Sequence, residues 1–135
     1  MKVVVDSNIW ISVLINKSYQ SFIKGVIKKE IKIISSRDQL EEISRVITKP
    51  KISRHVQRQH IKEFLILFLK TVELVEIKER VNDCRDEKDN FILETALSGN
   101  VNYIITTDND LLVMNPYREI KILTVTDFLK KLKVT

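Results

Sequence analysis

Near the amino terminus, the stretch Val3-Val4-Val5-Asp6 joins a short apolar run to an acid. Three consecutive valines predict a buried β-strand, and open α/β sheets bind their ligands at the carboxyl ends of such strands. The stretch Tyr103-Ile104-Ile105-Thr106-Thr107-Asp108 repeats the arrangement. If the two strands are neighbours in a parallel sheet, Asp6 and Asp108 face one crevice.

Helix capping is an alternative explanation for both acids. Asp6 or Ser7 would cap a helix that begins near Ile9, and Asp108 would cap the short turn that follows it. The sequence leaves both explanations open for each acid taken alone.

Short β-rich runs alternate with longer helical patterns along the rest of the chain. This alternation predicts an α/β domain with a mostly parallel sheet and right-handed crossovers. We expect Gly99 and Asn100 to end the fifth helix, and Thr126 with Asp127 to begin the last. The predicted strands are 3–5, 31–34, 72–75, 103–105 and 120–123, and the predicted helices are 9–15, 22–29, 37–48, 57–69, 90–98 and 126–133.

The composition is that of one globular, basic unit. With 135 residues, 44% of them hydrophobic, we expect a single domain over residues 1–135. The 23 Lys and Arg against 18 Asp and Glu give a net charge of +5, which favours a polyanionic partner. The chain has no secretory signal pattern and no apolar run near the ~18 residues that span a bilayer. Together with the lone Cys84, which suits a reducing compartment, this predicts a cytoplasmic protein with no membrane contact.

Helical phase selects two further acids. At ~100° per residue, Glu42 lies beside Val46 at the edge of an apolar face, whereas Glu41 points nearly opposite. Asp89 lies three residues before Ile92, on the buried face of the next predicted helix, where an unpaired charge is costly. Each acid has an alternative explanation. Glu42 could be an ordinary surface residue, and the acids before Ile92 could form a first helical turn whose negative charge complements the helix dipole.

Carboxylates without a neighbouring histidine or cysteine predict a site for a divalent cation that prefers oxygen ligands. They are hard oxygen ligands, which suit Mg²⁺ or Mn²⁺. One or two such ions would activate a water for phosphodiester cleavage. We therefore expect a divalent metal site at the crevice.

Four motifs, in order along the chain, resemble those of the PIN domain family. They are Val3-Val4-Val5-Asp6-Ser7-Asn8, Leu40-Glu41-Glu42-Ile43, Arg85-Asp86-Glu87-Lys88-Asp89-Asn90-Phe91 and Ile105-Thr106-Thr107-Asp108-Asn109-Asp110-Leu111-Leu112. The resemblance covers nearly the whole chain and is to the single-domain toxins of prokaryotic toxin–antitoxin pairs. It implies a three-layer α/β/α sandwich with strand order 3-2-1-4-5, a metal-dependent endoribonuclease that acts on RNA, and a cognate antitoxin protein. Thr107 departs from the pattern, since the family often has glycine or another small residue there.

The resemblance also implies roles for individual residues. Two polar residues match positions that orient the acids, as metal sites commonly require, although Asn8 could merely support a turn and Thr106 could merely cap. The catalytic and metal-binding acids would be Asp6, Glu42, Asp89 and Asp108, with Asp110 as an additional metal ligand.

A basic run begins within the predicted third helix and continues beyond its end. Between Ile43 and Lys62 the chain has six basic residues and no acidic one. We expect them to form a surface that binds RNA phosphates, with a solvated helical face as the alternative. They are Arg45, Lys49, Lys51, Arg54, Arg58 and Lys62.

The apolar stretch Phe64–Leu69 lies in the same region. It predicts a helix that is buried on most sides or that forms a subunit interface. Together with the family resemblance, it predicts a homodimer.

Two other functions fit parts of the pattern. The same fold without catalysis would serve as a nucleic-acid or protein-binding module, although the presence of all four acids argues against this. Aspartyl-phosphate enzymes and receiver domains also carry acids at strand ends. However, Asp6-Ser7-Asn8 lacks the second aspartate of such phosphatases. The third predicted strand ends in Val75-Glu76, which contains no aspartate that a receiver domain could have phosphorylated. The leading hypothesis is a metal-dependent ribonuclease.

Overall fold

The computed structural model describes residues 1–16 and 18–134. Within them, strands and α-helices alternate, with a 3-10 turn at Glu87–Asp89 before one helix. The strands are β1 (Lys2–Val5), β2 (Lys32–Ser36), β3 (Val72–Val75), β4 (Tyr103–Ile105) and β5 (Lys121–Leu123). The helices are α1 (Ser7–Ile15), α2 (Ser18–Lys28), α3 (Arg37–Ile47), α4 (Pro50–Ser53), α5 (Arg58–Thr71), α6 (Asn90–Ser98), α7 (Asn109–Leu112) and α8 (Val125–Val134).

The five strands form one parallel sheet in the order β3-β2-β1-β4-β5. The predicted α/β fold class and strand order are therefore confirmed. β1 is central, with Val4 aligned to Ile34 of β2 and to Ile104 of β4. All three residues are fully buried, as expected where helices cover both faces of a parallel sheet. Because β1 and β4 are neighbours, Asp6 and Thr106 leave the sheet side by side.

Helices cover the sheet on both faces, which gives the three layers. On one face, α1, α2, α3, α5 and α8 pack around a core that includes Trp10, Phe68 and Phe128. The rings of Trp10 and Phe68 meet edge to face, with centroids 4.8 Å apart. On the other face, α6 and α7 pack against the sheet through a second cluster that includes Ile92 and Leu111. No helix within the described ranges is long and apolar enough to cross a membrane.

Some helix boundaries differ from the sequence prediction. α8 begins at Val125 because Thr124, and not Thr126, caps it: the Thr124 hydroxyl accepts a hydrogen bond of 3.1 Å from the Asp127 backbone N–H. The sequence pattern does not predict α4, because its four residues are too few to show helical periodicity. Its first residue is Pro50, which commonly starts helices.

The end of α6 explains the pair Gly99 and Asn100. Asn100 takes the left-handed position with φ 51°, whereas Gly99 has φ −87°. The glycine is needed instead for close packing, since a Cβ at Gly99 would lie 2.6 Å from Cγ2 of Ile34. α6 therefore packs directly on β2, and its first residue, Asn90, lies at the carboxyl edge of the sheet.

Candidate active site

Asp6 begins the site at the carboxyl end of β1. Its side chain is 4% exposed, and its Oδ2 accepts a hydrogen bond of 2.6 Å from the Thr106 hydroxyl. It makes no capping hydrogen bond to α1, so capping does not explain this acid. Burial, aided by the nearby carboxylates of Asp108 and Glu42, raises the pKa of Asp6, and the Thr106 hydrogen bond opposes the rise.

Thr106 links the ends of β1 and β4. While its hydroxyl donates to Asp6, it accepts a hydrogen bond of 2.9 Å from the Asp108 backbone N–H. Asp108 Oδ1 in turn accepts from the Asp110 backbone N–H at 2.9 Å and so caps α7. For Asp108, capping and a position in the crevice thus occur together, because one carboxylate oxygen caps and the other is left for the site.

Asp89 is a second acid of the site whose carboxyl group is strongly perturbed. It ends the 3-10 turn before α6, and its Oδ2 is buried without a hydrogen-bond partner in the described part of the chain. Burial, contact with the Asp108 carboxyl group, and the charges of Asp6 and Asp86 raise the pKa of Asp89 to about 8. A carboxyl oxygen in this position needs a proton or a cation beside it.

A second cluster of oxygens continues from Asp89. One carboxylate oxygen from each of Asp86, Asp89 and Asp110 lies within 4.8 Å of the others. Buried Asn90 fixes the loop that carries two of these acids, since its Oδ1 accepts a 2.9 Å hydrogen bond from the Cys84 backbone N–H. The acids of the third and fourth sequence motifs therefore adjoin each other in space.

Glu42 approaches from α3 and is half-buried, as helical phase predicts. Its Oε2 accepts a hydrogen bond of 3.1 Å from the Ser7 hydroxyl. Glu41 instead points outward, where it lies 3.6 Å from the exposed guanidinium of Arg37. The structure thus brings Asp6, Glu42, Asp89 and Asp108 together at the carboxyl edge of the sheet, and the charges of these acids act on one another.

Comparisons with known proteins identify the family. The model of the PIN domain matches residues 2–110. The chain belongs to the PIN domain family. A curated relative, the uncharacterised protein MJ1680 of Methanocaldococcus jannaschii, is 30% identical over 115 residues, which is 83% of this chain and 74% of the relative.

Two solved structures share the fold. One is VapBC2 from Rickettsia felis, crystallised bound to a DNA fragment from their promoter, with a TM-score of 0.61 and 15% identity over 90% of this chain and 97% of that one. The other is PAE2754 from Pyrobaculum aerophilum, with a TM-score of 0.64 and 16% identity over 100% of this chain and 91% of that one. At these identities the likeness concerns the fold alone.

The two predicted orienting residues of this PIN domain differ in what they contact. Thr106 is fully buried and bonded to Asp6. Asn8 is exposed, and the described residues give its side chain no hydrogen bond. The orienting role of Asn8 therefore stays a prediction, whereas the hydroxyl of its neighbour Ser7 reaches Glu42.

Sequence analysis did not identify the buried polar residues behind Ser7. Gln39 Nε2 lies 2.6 Å from the Val5 carbonyl oxygen and 3.4 Å from the Ser7 hydroxyl. Its Oε1 accepts a hydrogen bond from Ser35 at the end of β2. One signal was available, because Gln39 lies four residues before Ile43 on the apolar stripe of α3. A fully buried glutamine in that stripe needs polar partners, and here they fix the end of β1.

The basic run lies along the end of α3, α4 and the start of α5. Arg45 follows Glu42 by one helical turn, so the run begins close to the acids. All six basic residues are exposed, and within the described ranges none forms an ion pair with an acid. The exposed residues are Arg45, Lys49, Lys51, Arg54, Arg58 and Lys62.

Proposed function

We propose that this PIN domain is a metal-dependent endoribonuclease in which Asp6, Glu42, Asp89 and Asp108 bind Mg²⁺ or Mn²⁺ and perform catalysis. The observation that carries the proposal is the carboxyl group of Asp89. Its Oδ2 is buried and receives no hydrogen bond from the described residues, and its contact with Asp108 is repulsive when both groups are charged. A divalent cation would satisfy that oxygen and remove the repulsion.

The donor set fits such an ion. The converging side-chain atoms are carboxylate oxygens, which Mg²⁺ and Mn²⁺ prefer. Asp110, whose carboxylate lies with those of Asp86 and Asp89 within 4.8 Å of one another, is an additional candidate ligand. A bound divalent ion supplies positive charge opposite the phosphate and a more acidic water.

The protein's own polar contacts would hold the acids in place for this chemistry. Thr106 fixes Asp6 by a 2.6 Å hydrogen bond, and Ser7 fixes Glu42 by one of 3.1 Å. Preorganised carboxylates do not need to rearrange when the ion and the substrate arrive. Removal of either hydroxyl is therefore expected to weaken metal binding more than it lowers the stability of the fold.

RNA is the proposed substrate because the surface beside the acids is basic. The six cations of the basic run, which form no ion pair with an acid in the described part of the chain, offer contacts to a phosphate backbone. The net charge of +5 has the same sign as these contacts require. No pattern in the run reads a base sequence, so we propose contacts to the backbone and not to particular bases.

The proposal also states which proteins this domain binds. We propose that residues 1–135 form one nuclease domain of a cytoplasmic toxin. An antitoxin protein inhibits this toxin, and the toxin forms a homodimer.

An apolar groove of about 550 Å³ between α1, α2 and α5 offers a surface for a segment of the antitoxin. Ile15, Ile27 and Leu67 line it and are 55%, 45% and 45% exposed. On α5, Ile66 and Leu69 are also exposed and support the proposed dimer.

Co-expression with the proteins encoded next to the gene tests the antitoxin. We expect a stable complex that no longer cleaves RNA, and we expect Leu67→Glu to dissociate it while the free protein still cleaves. Purification of the chain alone in every such co-expression would reject the antitoxin. Sedimentation equilibrium of the free protein tests the dimer, which a monomer at all concentrations would reject.

A cleavage assay tests the nuclease. Purified wild type is incubated with labelled single-stranded RNA in Mn²⁺ or in chelator, beside Asp6→Asn, Asp108→Asn and the exposed control Glu41→Gln. We expect cleavage only in Mn²⁺, loss of cleavage in both aspartate variants, and wild-type rates in Glu41→Gln. Full activity in a folded aspartate variant would reject the site. RNA binding without any cleavage would favour a catalytically silent binding module.

A further inference from the structure

Arg85 is a cation placed against the acidic cluster. Its Nε donates a hydrogen bond to Oδ1 of Asp110, and the two side chains are 61% and 32% exposed. The described residues contain no other ion pair to an acid of the cluster or of the proposed catalytic four. A single guanidinium therefore stands beside a group of carboxylates that would otherwise repel any phosphate.

Most of the hydrogen-bonding capacity of Arg85 is unused. A guanidinium has five N–H donors arranged as a planar fork. Only Nε has a hydrogen-bond partner among the described residues, so both terminal nitrogens keep their donors for another group. The bond to Asp110 holds the base of the fork at the cluster, while the exposed side chain leaves the terminal nitrogens accessible.

We propose that Arg85 binds a phosphate of the RNA at the edge of the acidic cluster. Two parallel N–H donors match two phosphate oxygens, which makes arginine better suited than lysine to this contact. The contact would place the backbone over the carboxylates, and its charge would offset part of their repulsion. The inference rests on the proposed ribonuclease function and assigns to it a phosphate-binding residue outside the basic run.

A matched control is available at the opposite edge of the sheet. Arg118 precedes β5, and its guanidinium pairs with Glu79 at 3.2 Å, with side chains 49% and 52% exposed. Arg118→Gln therefore removes the same charge from an ion pair whose acid belongs neither to the cluster nor to the proposed catalytic four. Arg85→Lys keeps the charge and loses the planar fork.

The first measurement is the salt dependence of binding to fluorescent single-stranded RNA in chelator. Each phosphate contact adds about 0.7 to the slope of log K against log salt concentration. We expect Arg85→Gln to lose about 0.7 of that slope, and Arg85→Lys and Arg118→Gln to keep it. An unchanged slope in folded Arg85→Gln would overturn the proposal, even if cleavage falls, because Arg85 would then only support Asp110.

The second measurement is cleavage of the same RNA in Mn²⁺. We expect kcat/KM to fall about tenfold or more in both Arg85 variants and to stay unchanged in Arg118→Gln. Recovery of full cleavage by Arg85→Lys would overturn the role of the fork. If the wild type binds RNA with the expected slope but does not cleave it, the ribonuclease proposal fails while the phosphate contact stands. If Arg85→Gln does not fold, the cleavage of Arg85→Lys decides: a fall of about tenfold supports the proposal, and full activity overturns it.

Discussion

Replacing Asp89 by asparagine should stabilise the metal-free protein. The substitution keeps the shape of the side chain and removes the charge that burial and Asp108 disfavour. Each pH unit by which a pKa rises is worth about 1.4 kcal/mol, so the rise for Asp89 from 3.8 to about 8 sets a ceiling of about 5 kcal/mol near pH 8. Because the Asp89 residue is only half-buried, solvent screening reduces this strongly. We expect a gain of about 1–2 kcal/mol.

The pH dependence of this gain has a definite sign. The folded state holds the proton on Asp89 more tightly than the unfolded state does, so ionisation destabilises the fold. This loss of folding stability from Asp89 ionisation is absent below about pH 4, grows as the pH rises towards 8, and is constant above pH 8. In chelator, the free energy of unfolding of Asp89→Asn should therefore exceed that of the wild type by about 1–2 kcal/mol at pH 8 and by well under 1 kcal/mol at pH 5.

Urea unfolding in chelator at the two pH values measures these differences, with Glu41→Gln as the exposed control that should change stability little. Added Mn²⁺ should reverse the order, since an ion bound to the native acids stabilises only the wild type. An Asp89→Asn variant that is less stable than the wild type at pH 8 in chelator would show that the charge of Asp89 does not destabilise the fold. So would a stability difference that does not depend on pH.

Five further substitutions test the packing and the site. Gly99→Ala should destabilise by about 1–3 kcal/mol because its Cβ overlaps the neighbouring strand, whereas Gly25→Ala, with open space around it, should stabilise by about 0.5–1 kcal/mol; thermal unfolding of both variants checks this pair. Phe68→Ala should lower the free energy of unfolding by about 3–5 kcal/mol, and Leu129→Ala, at a side chain that is 38% exposed, by much less, as measured by urea unfolding. Thr106→Val should weaken Mn²⁺ binding about tenfold or more, measured by calorimetry, and wild-type affinity would show that its hydroxyl does not orient the site.

Much of the fold follows from local pattern. Val3-Val4-Val5 and Tyr103-Ile104-Ile105 are short, apolar and β-branched or aromatic, so their strands could be predicted from propensity alone. Helical phase placed Glu42 towards the acids and Glu41 towards solvent. The strand order came from the family resemblance, because sequence pattern does not determine which parallel strands are neighbours.

The contacts that sequence pattern does not reveal join residues far apart in the chain. Gln39 and Val5 are 34 residues apart, and Arg85 and Asp110 are 25 apart, so neither pair leaves a local signal. Asn8 shows that a motif match does not determine where a side chain points. It matches a motif position, but the direction of its side chain depends on how α1 leaves β1.

Anomalous diffraction from a crystal soaked in Mn²⁺ shows whether the acids at the carboxyl edge of the sheet bind a metal ion. We expect a manganese peak about 2 Å from carboxylate oxygens of Asp6, Asp89 and Asp108, and loss of that peak in crystals of Asp89→Asn. Manganese bound only elsewhere on the protein, or a peak unchanged in the variant, would contradict the proposed metal site.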